Sequence, residues 1–488
     1  MTHDTGNLAT ETFDVLVVGG GIVGAGIARD AAMRGLLVRL VEQNDFASGT
    51  SSRSSRLLHG GLRYLGQGDI ALVREASREK QTIGCIAPHL CQPLPFLFPA
   101  YRGGAWPLWK LLLGVKTYDL LCGGRNFGPS ESLARDELLG RLPALATEGL
   151  RGGVRYFDAL TNDARLVIDT LRAAAAQGAV LNNYTEFVGA DRRGDTWRAS
   201  LRDRRTGETC EASARTIVNA AGPWSDSLPH SGTHLRLTKG VHLVVARARL
   251  PVDAAVVLAA GERILFAIPW GERVILGTTD TDYDGDVAAP RCTSADRDYV
   301  LHVVNRYFPS AQLTPGDVRA VWTGLRPLVA DADGKPSDIS RRHEITEPQP
   351  GWFDVTGGKL TTYRLMADET LARLTPRIGR TLRACRTDIE PLLPPSSSAT
   401  VSGILPSKPG GELIAHYCQR EWARHLDDVM LRRAGWHYYC DDRDAIARQT
   451  AAWMATALDW SPARQAEELA NYEQLVAREH EFPSESSP

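Results

Sequence analysis

The stretch FDVLVVGGGIVGAGIARDAAMRGLLVRLVEQ, residues 13–43, decides the fold. It begins with a continuous apolar run, residues 13–18, of the kind that forms a buried parallel strand. Alanines and apolar residues then recur at helical spacing up to Gly35, a natural helix end. A second apolar run, residues 36–43, follows. Strand, helix and strand within about 30 residues predict a βαβ unit.

A G-x-G-x-x-G motif formed by Gly19, Gly21 and Gly24 lies between the first strand and the helix. The first glycine permits a tight turn, the second lets a pyrophosphate approach the backbone, and the third lets helix and strand pack closely. Glu42, 18 residues after Gly24, ends the second strand and can accept hydrogen bonds from ribose hydroxyls. The set predicts a dinucleotide site and leaves NAD and FAD open.

A second glycine pair, Gly357 and Gly358, stands in VTGGKLTTYR between a predicted strand and a predicted helix. A helix N-terminus presents free N–H groups and positive potential. Beside the pyrimidine side of an isoalloxazine, this potential would stabilise an anionic reduced flavin. The late pair therefore favours FAD over NAD, although an ordinary strand–helix turn would have the same sequence.

The rest of the chain predicts a mixed organisation. Strands are expected at 216–222 and 241–246, and the runs 263–270 and 273–280 indicate a hairpin. A Pro/Ser-rich stretch, 392–411, indicates a boundary. Helices are predicted beyond it, over 421–436 and 444–460. The predicted fold class is α/β, with a Rossmann-like domain, an antiparallel-sheet substrate domain and a helical C-terminal domain.

The composition excludes several classes of protein. A chain of 488 residues with 43% hydrophobic and 23% charged residues predicts two or three globular domains. The formal net charge of −2 offers no basic excess for nucleic acid. The eight cysteines include no C-x-x-C pair, so neither a disulfide framework nor a metal site is expected. A reduced, cytoplasmic setting without secretory signal or spanning helix is the expectation.

The segment WPLWKLLLGVKTYDLLC, residues 106–122, has two interpretations. It places Lys110, Lys116 and Asp119 among tryptophan, leucine and tyrosine. An amphipathic helix lying on a membrane surface has this pattern, and so does a helix packed in a core.

Several polar residues are candidate ligands of an anionic substrate. Arg326 lies among apolar residues in GLRPL, Arg341 and Arg342 stand in SRRHEI, and Lys359 follows the second glycine pair. The planar guanidinium fork suits phosphate or carboxylate. His242, on a predicted strand, is either a core histidine or a proton acceptor.

Together these segments resemble the FAD-dependent, respiratory type of glycerol-3-phosphate dehydrogenase. The resemblance runs in order over about residues 13–370 and includes the motifs DVLVVGGGIVGAGIARDAAMRGL, TSSRSSRLLHGGLRYL, NDARLV, VNAAGPWSD, TKGVHLVV, IPWGERVILGTTDTDYDGD, WTGLRPLV, SRRHEI and TGGKLTTYRLMAD. Arg53 and Arg56 depart from it, since smaller residues or lysine are usual there, and the C-terminal domain is shorter than in the longer members.

The resemblance implies a FAD-binding domain of the glutathione-reductase/D-amino-acid-oxidase type. It implies oxidation of sn-glycerol 3-phosphate to dihydroxyacetone phosphate, with hydride passing from C2 to flavin N5 and the electrons going on to quinone. The expected domains are FAD-binding at 13–80, 150–225 and 345–385, substrate-binding at 81–149 and 226–344, a linker at 386–411 and a helical domain at 412–488.

The site residues follow residue by residue from these motifs. The expected cofactor-binding residues are Gly19, Gly21, Gly24, Glu42, Thr50, Ser51, Ser52, His59, Gly60, Gly61, Gly222, Gly357, Gly358, Lys359, Leu360 and Thr361. The expected substrate-site residues are Arg63, Tyr64, His242, Arg326, Arg341 and Lys359. Arg326 and Arg341 are assigned to the phosphate, and His242 is the best candidate for the base. The stretch 48–65 would join the cofactor site to the substrate site.

The resemblance also implies partners. Quinone is confined to the bilayer, so docking at the inner face of the cytoplasmic membrane is expected, and a homodimer is left open. Three alternatives stand beside this interpretation. They are a glycerol-3-phosphate oxidase that uses O₂, a flavoenzyme that oxidises a 2-hydroxy acid or an amino acid, and a flavin-binding protein without turnover. Several cationic positions fit a dianionic phosphate better than a single carboxylate.

Overall fold

The computed structural model describes residues 11–124, 126–261, 263–329, 343–394 and 401–483. The side chains of Arg63, Gln67 and His480 lie outside this description, as do Arg341 and Arg342.

The described residues form two sheets and eleven α-helices. The strands are β1 Thr12–Val18, β2 Val38–Val41, β3 Leu57–Leu58, β4 Gln92–Tyr101, β5 Glu131–Leu133, β6 Leu150–Leu160, β7 Val180–Asn182, β8 Thr185–Arg193, β9 Thr196–Asp203, β10 Thr209–Asn219, β11 Leu235–Ala246, β12 Ala255–Ala260, β13 Arg263–Trp270, β14 Arg273–Gly277, β15 Thr281–Asp282, β16 Val318–Val329, β17 His343–Gln349 and β18 Trp352–Gly357. The helices are α1 Ile22–Met33, α2 Ile70–Ile86, α3 Leu108–Leu121, α4 Arg135–Arg141, α5 Asp163–Ala176, α6 Ser294–Tyr307, α7 Tyr363–Ile378, α8 Gly411–Arg420, α9 Trp436–Tyr439, α10 Arg443–Leu458 and α11 Pro462–His480.

The first sheet contains the predicted βαβ unit. Its strand order is β17-β18-β10-β1-β2-β7, with β9 paired to β10 and β8 to β9. The central strand β1 pairs in parallel with β10 and with β2, and β2 pairs in parallel with β7. Alanines of α1, among them Ala25, Ala28 and Ala31, are buried against α5 and α7. Small side chains let these three helices pack closely on the parallel sheet, and the predicted Rossmann-like part is confirmed.

The second sheet is mainly antiparallel. Its strand order is β15-β11-β14-β13-β12-β4-β6-β3, with β16 paired to β11 and β5 to β6. The predicted hairpin is present as β13 and β14, joined at Gly271 with φ of 58°. Leu111, Val115 and Tyr118 of α3 are buried on this sheet. The long β11–β16 ladder, with His242 opposite Trp322, forms one end of the sheet that faces the cofactor segments.

The predicted domain boundaries differ from the strand pairing at β3 and β6, which they assign to the FAD-binding part although both belong to the second sheet. They assign residues from 150 onward to the FAD-binding part, but β6 pairs with β4 in the second sheet along ten register positions. This pairing is non-local and leaves no mark in the local sequence. A boundary after Leu160 fits the pairing better, and the division as a whole stays a prediction.

The C-terminal helices have their own core, which includes Ile414, Tyr417 and Trp436. The helix predicted over 421–436 is wrong in its first turns, because Trp422 adopts φ of 58° and regular structure resumes as a π-helix over Asp428–Arg433. Within the part of the chain that the structure describes, no helix has the length and apolar character needed to cross a membrane.

Buried ion pairs join these helices to the first sheet. The Asp45 carboxylate accepts hydrogen bonds from Arg432 Nε at 2.5 Å and from Arg433 Nη1 at 2.5 Å. Burial alone would raise the pKa of Asp45, but the two guanidinium groups lower it to about 2. Because removing one partner would leave a buried charge, the C-terminal part is fixed to the loop that follows Glu42.

Candidate active site

A cavity of about 950 Å³ lies between the cofactor segments and the face of the second sheet. Thr50, His59, Lys359 and Thr361 line it from the first side. The other side is formed by residues of the second sheet that include Gly240, His242, Thr278, Gly324 and Arg326. The structure thus brings most of the described candidate residues to one place.

The glycine motif is packed without room for side chains. A Cβ added at Gly24 would overlap the carbonyl oxygen of Gly19, and one added at Gly19 would overlap the carbonyl oxygen of Ala220. Gly19 also has φ of 116°, a conformation that favours glycine. Gly21 is the N-cap of α1, and Ser51 Oγ accepts a hydrogen bond from Ile22 N at 3.0 Å. The motif therefore presents backbone N–H groups at a helix N-terminus, as a pyrophosphate requires.

Glu42 is held against this turn. Its Oε2 accepts a hydrogen bond from Gly20 N at 2.8 Å, and its Oε1 accepts one from Asn44 N at 2.9 Å. Burial raises the pKa of Glu42, while these two backbone bonds oppose the rise. Each carboxylate oxygen keeps a second lone pair that can accept from a ribose hydroxyl.

The late glycines form the second cofactor segment. Gly357 and Gly358 have φ of 70° and 76°, and a short 3₁₀ turn, Leu360–Thr362, leads into α7. Thr361 Oγ1 accepts a hydrogen bond from His59 N at 3.2 Å. This bond holds the late segment against the His-Gly-Gly segment. Both segments were expected to lie beside an isoalloxazine, so their contact agrees with that expectation.

Other predicted cofactor residues lie in the same region with particular roles. Thr50 Oγ1 donates to the Leu325 carbonyl at 2.6 Å, so this hydroxyl ties the segment to β16. Ser52 is buried, and Gly222, with φ of 57°, begins the 3₁₀ turn after β10. The glycine cradle, the carboxylate and the two facing segments are of the right chemistry for the pyrophosphate, ribose and isoalloxazine of FAD.

Gly60 is supported from below by a buried polar cluster that the sequence did not predict. Its N–H donates to Tyr118 Oη at 3.0 Å, and Tyr118 Oη donates to Asp158 Oδ1 at 2.5 Å. Lys80 Nζ donates to the same carboxylate oxygen at 2.8 Å. Burial and the Asp158 charge hold the pKa of Tyr118 well above its usual value, so the phenol stays a donor. The cluster fixes the backbone of the His-Gly-Gly segment.

His242 lies on β11 opposite Gly277 of β14 and Trp322 of β16. Its ring stacks on the Trp322 ring at 5.3 Å with an interplanar angle of 20°. Its Nε2 lies 2.8 Å from Ser55 Oγ. Burial, and then the charges of Arg326 and Arg56, lower the pKa of His242 to about 3. The ring is therefore neutral near pH 7, with one ring nitrogen able to accept a hydrogen bond.

Arg326 is oriented by the turn after β14. Its Nη1 lies 3.0 Å from Asp280 Oδ1, and its Nη2 donates to Thr278 Oγ1 at 3.1 Å. A Cβ at Gly240 would lie 2.5 Å from Arg326 Nη2, so a larger residue there would displace the guanidinium. These contacts hold the guanidinium at the cavity wall, where it can meet an anion.

Lys359 and Tyr64 lie together on the cofactor side. Lys359 Nζ is 3.8 Å from the centroid of the Tyr64 ring, a cation–π contact. Arg341 lies outside the described residues, and so does the side chain of Arg63, whose backbone belongs to the 3₁₀ turn Leu62–Gln67. The substrate roles assigned to these residues stay predictions.

Sequence reasoning missed the residues that hold His242. Ser55 stands in the quoted serine-rich stretch, but nothing in that stretch distinguishes it from its neighbours. Trp322 is opposite His242 only through the β11–β16 register. Arg56 is buried with φ of 56°, and its guanidinium lies 4.3 Å from the Trp270 ring and 5.1 Å from the Trp322 ring. An arginine in place of the usual small residue or lysine was the one available signal.

Comparison with known proteins agrees with this geometry. A family model described as FAD dependent oxidoreductase matches residues 14–369. The chain belongs to this family. FAD is therefore its cofactor, which decides the choice that the glycine motif alone left open, and the chain is an oxidoreductase. The predicted fold class and cofactor are confirmed.

Relatives in this family are named for one activity. Glycerol-3-phosphate dehydrogenase 2 of Mycobacterium tuberculosis is 36% identical, over 99% of this chain and 90% of that protein. The aerobic glycerol-3-phosphate dehydrogenase of Staphylococcus aureus is 40% identical, over 79% of this chain and 72% of that protein. The predicted resemblance is confirmed.

Solved structures show the same architecture. The glycerol-3-phosphate dehydrogenase of Bacillus halodurans, complexed with FAD, has a TM-score of 0.78 at 28% identity and covers 99% of this chain and 98% of its own. The L-alpha-glycerophosphate oxidase of Mycoplasma pneumoniae, 19% identical, has a TM-score of 0.61 over 77% of this chain and 97% of its own, and shares the fold.

Gly24→Ala tests the cofactor cradle. The added methyl group would overlap the Gly19 carbonyl oxygen, so the turn must open and its N–H groups must move. We expect FAD retention after gel filtration to fall more than about tenfold, since several charge-assisted bonds are lost together. Gly140→Ala is the control, because a Cβ there meets nothing within 4 Å. Equal flavin content in both variants would contradict the assignment.

The pKa of His242 predicts a pH dependence of stability. Its folded value, about 3, is below its unfolded value of 6.5. Between these two pH values the unfolded chain binds a proton that the folded chain does not, so this contribution to stability is full above pH 6.5 and is lost as pH falls towards 3. From pH 7.5 to 5, the parent should lose about 2 kcal/mol more free energy of unfolding than His242→Asn. Urea titrations at the two pH values measure the free energy of unfolding of both proteins. Equal losses in the parent and in His242→Asn would show that folding does not lower the pKa of His242.

Proposed function

We propose that the chain oxidises sn-glycerol 3-phosphate to dihydroxyacetone phosphate with FAD, passing the electrons to a quinone. The observation that carries the proposal is that Arg326, His242 and Lys359 line one cavity together with Gly61 and Gly358 of the two later glycine segments. Such a set of residues would bind a dianionic phosphate, accept the proton of a hydroxyl and contact a flavin. The names of the relatives at 36% and 40% identity support the substrate.

The phosphate is assigned to the cationic side of the cavity. Arg326 is held by Asp280 and Thr278 with its guanidinium at the wall. Arg341, from the sequence, is its proposed partner, and Lys359 and Arg63 would help to hold the substrate. A fork of N–H donors on a phosphate fixes the ester end and so orients C2. Bound FAD supplies the acceptor for the hydride that leaves C2.

His242 is assigned to the proton of the C2 hydroxyl. Its Nε2 lies 2.8 Å from Ser55 Oγ, so the serine hydroxyl lies at the nitrogen that would accept the proton. The Arg326 charge is one of the causes that lower its pKa. A phosphate bound to Arg326 neutralises that charge, so the substrate itself would raise the proton affinity of the base. The proton goes to the imidazole as the hydride leaves, which balances the oxidation of the alcohol to a ketone.

Helix α3 is the proposed contact with a membrane surface. Trp109, Leu113 and Leu120 are 69%, 61% and 78% exposed, an unusual exposure for large apolar side chains. Lys110 lies on the same helix, with its Nζ 5.3 Å from the centroid of the Trp106 ring. Exposed apolar residues with a neighbouring lysine suit the headgroup region. Location at the inner face of the cytoplasmic membrane, and a homodimer, stay predictions.

The activity is tested by anaerobic bleaching of the flavin. We expect sn-glycerol 3-phosphate to reduce the FAD-loaded chain, and His242→Asn to slow reduction by about 10²–10⁴-fold because general base catalysis is lost. Arg326→Met should raise the half-saturating substrate concentration by about 10–100-fold, from the loss of a charged hydrogen bond. Arg202→Met, on a surface ion pair with Glu186, is the control. Bleaching by a 2-hydroxy acid or an amino acid but not by this ester would refute the proposal.

The membrane contact is tested with liposomes. We expect the parent to sediment with vesicles of phosphatidylglycerol and phosphatidylcholine. The variant with Trp109, Leu113 and Leu120 all replaced by glutamate should bind the vesicles more than about tenfold more weakly than the parent, because three apolar side chains no longer enter the interface. Val188→Glu with Ile389→Glu is the matched control, as both residues are exposed apolar positions elsewhere. A parent that stays in the supernatant would end this part of the proposal.

A further inference from the structure

The imidazole of His242 is not open to the cavity. Its side chain is only 2% exposed, and its Nδ1 is buried without a hydrogen-bond partner among the described residues. Its Nε2 lies 2.8 Å from Ser55 Oγ. Because each ring nitrogen makes one hydrogen bond in the plane of the ring, the serine occupies the position at Nε2. A substrate hydroxyl in the cavity therefore has no direct approach to either nitrogen.

The ring is also held in its orientation by the strands on both sides of β11. Trp322 of β16 stacks on one face of the imidazole. On the other neighbouring strand, β14, a Cβ added at Gly277 would lie 2.7 Å from His242 Cδ2, so backbone packs directly against the ring edge. The imidazole cannot turn towards the cavity without displacing one of these neighbours.

Ser55 is held in place through the residue before it. Ser54 Oγ donates to Asp163 Oδ2 at 2.7 Å, and the same carboxylate oxygen accepts from Ser54 N at 3.0 Å. Trp322 Nε1 donates to the Ser54 carbonyl oxygen at 3.0 Å. The tryptophan that stacks on the imidazole thus also positions the backbone that carries Ser55, and the serine and the ring form one rigid unit.

The hydroxyl of Ser55 differs from the other hydroxyls of its segment. Thr50 Oγ1 donates to the Leu325 carbonyl, and Ser51 Oγ accepts from Ile22 N, so both bind backbone groups. Ser55 instead binds a titratable ring, and it lines the cavity and is partly exposed there. A hydroxyl has one proton and two lone pairs, so Ser55 can donate to the imidazole and accept from a substrate hydroxyl at the same time.

We infer that Ser55 is a catalytic residue that relays the proton of the C2 hydroxyl of the substrate to Nε2 of His242. The proton of the C2 hydroxyl passes to Ser55 Oγ while the proton of Ser55 passes to the imidazole, so the serine ends neutral. The C2 hydrogen leaves with its electron pair to bound FAD, and the C–O bond becomes a carbonyl. The inference rests on the proposed function, because it concerns the proton released in that oxidation.

Ser55→Ala and Ser55→Thr test the relay in anaerobic flavin reduction by sn-glycerol 3-phosphate. Loss of the hydroxyl should slow the limiting rate of reduction by about 10²-fold or more, whereas Ser55→Thr keeps a hydroxyl and should stay within about tenfold of the parent. The half-saturating substrate concentration should change less than about threefold in Ser55→Ala, because the phosphate contacts are intact. Ser132→Ala, at an exposed position of β5, is the matched control.

A proton inventory on the parent separates a relay from a serine that only orients the ring. Two protons that move in one step give a curved dependence of the reduction rate on the deuterium fraction of the water, and one proton gives a straight line. We expect the curved form. Substrate deuterated at C2 should slow the same phase, which shows that this phase includes loss of the C2 hydrogen. A straight line would overturn the relay and leave Ser55 as a positioning residue.

Nitrogen-15 NMR of the FAD-loaded chain, labelled at histidine, gives a readout that needs no turnover. A ring that receives the serine proton must have Nε2 unprotonated and Nδ1 protonated in the resting state. We expect this tautomer for His242, with its signals assigned by their absence in His242→Asn and the Nε2 signal displaced in Ser55→Ala. A protonated Nε2 would overturn the inference, because the ring would then donate to the serine.

The outcomes distinguish this inference from the proposed function. A parent that sn-glycerol 3-phosphate does not bleach would refute the proposed function, and the relay with it. A parent that is bleached, but with a straight-line inventory or with Ser55→Ala as fast as the parent, would refute the relay alone. If Ser55→Ala loses its FAD, the inventory and the tautomer of the parent still decide between the two roles of Ser55.

Discussion

The absence of side chains where β1, α1 and β10 meet is the constraint on which the rest of the structure depends. Gly24 packs on the Gly19 carbonyl, and Gly19 packs on the Ala220 carbonyl, so two strands and a helix converge at backbone distance. That convergence aims the N-terminus of α1 along the carboxyl ends of the parallel strands, where an anion is best placed. Glu42, at the end of the next strand, is bonded to Gly20 N and so belongs to the same turn. A bulkier residue would move the helix and the carboxylate together.

The part of the site that could be predicted from the sequence is the part made by residues close together in the chain. The glycine motif, its distance to Glu42 and the β13–β14 hairpin are local patterns with a physical reason. His242, Arg326 and Lys359 were candidates from their local sequence and received substrate-site roles from the family resemblance, and they line one cavity. Ser55 and Trp322 were not predicted. Trp322 meets His242 only through the β11–β16 register, and Ser55 is 187 residues away from His242 in the sequence. No local pattern contains that information.

Helix α3 shows why one segment allowed two interpretations. Leu111, Val115 and Tyr118 are buried on the second sheet, whereas Trp109, Leu113 and Leu120 face outward. An α-helix whose residues are apolar on both sides satisfies the pattern of a core helix and that of a surface-binding helix at once. Its inner side also carries the phenol that binds Gly60 N. The helix therefore connects an exposed apolar surface to the backbone beside the proposed isoalloxazine position. A shift of the helix would move the backbone at Gly60.

The C-terminal helices are part of the site's support, although the sequence presents them as a separate unit behind a Pro/Ser stretch. Arg432 and Arg433 bind Asp45, three residues after Glu42. Tyr438 lies 5.2 Å from the Trp322 ring, which in turn stacks on His242. Arg56 fills the space between Trp270, Trp322 and Tyr438 and supplies one of the charges that keep His242 neutral. Arg56 and the C-terminal Tyr438 thus form one cationic–aromatic packing behind the base.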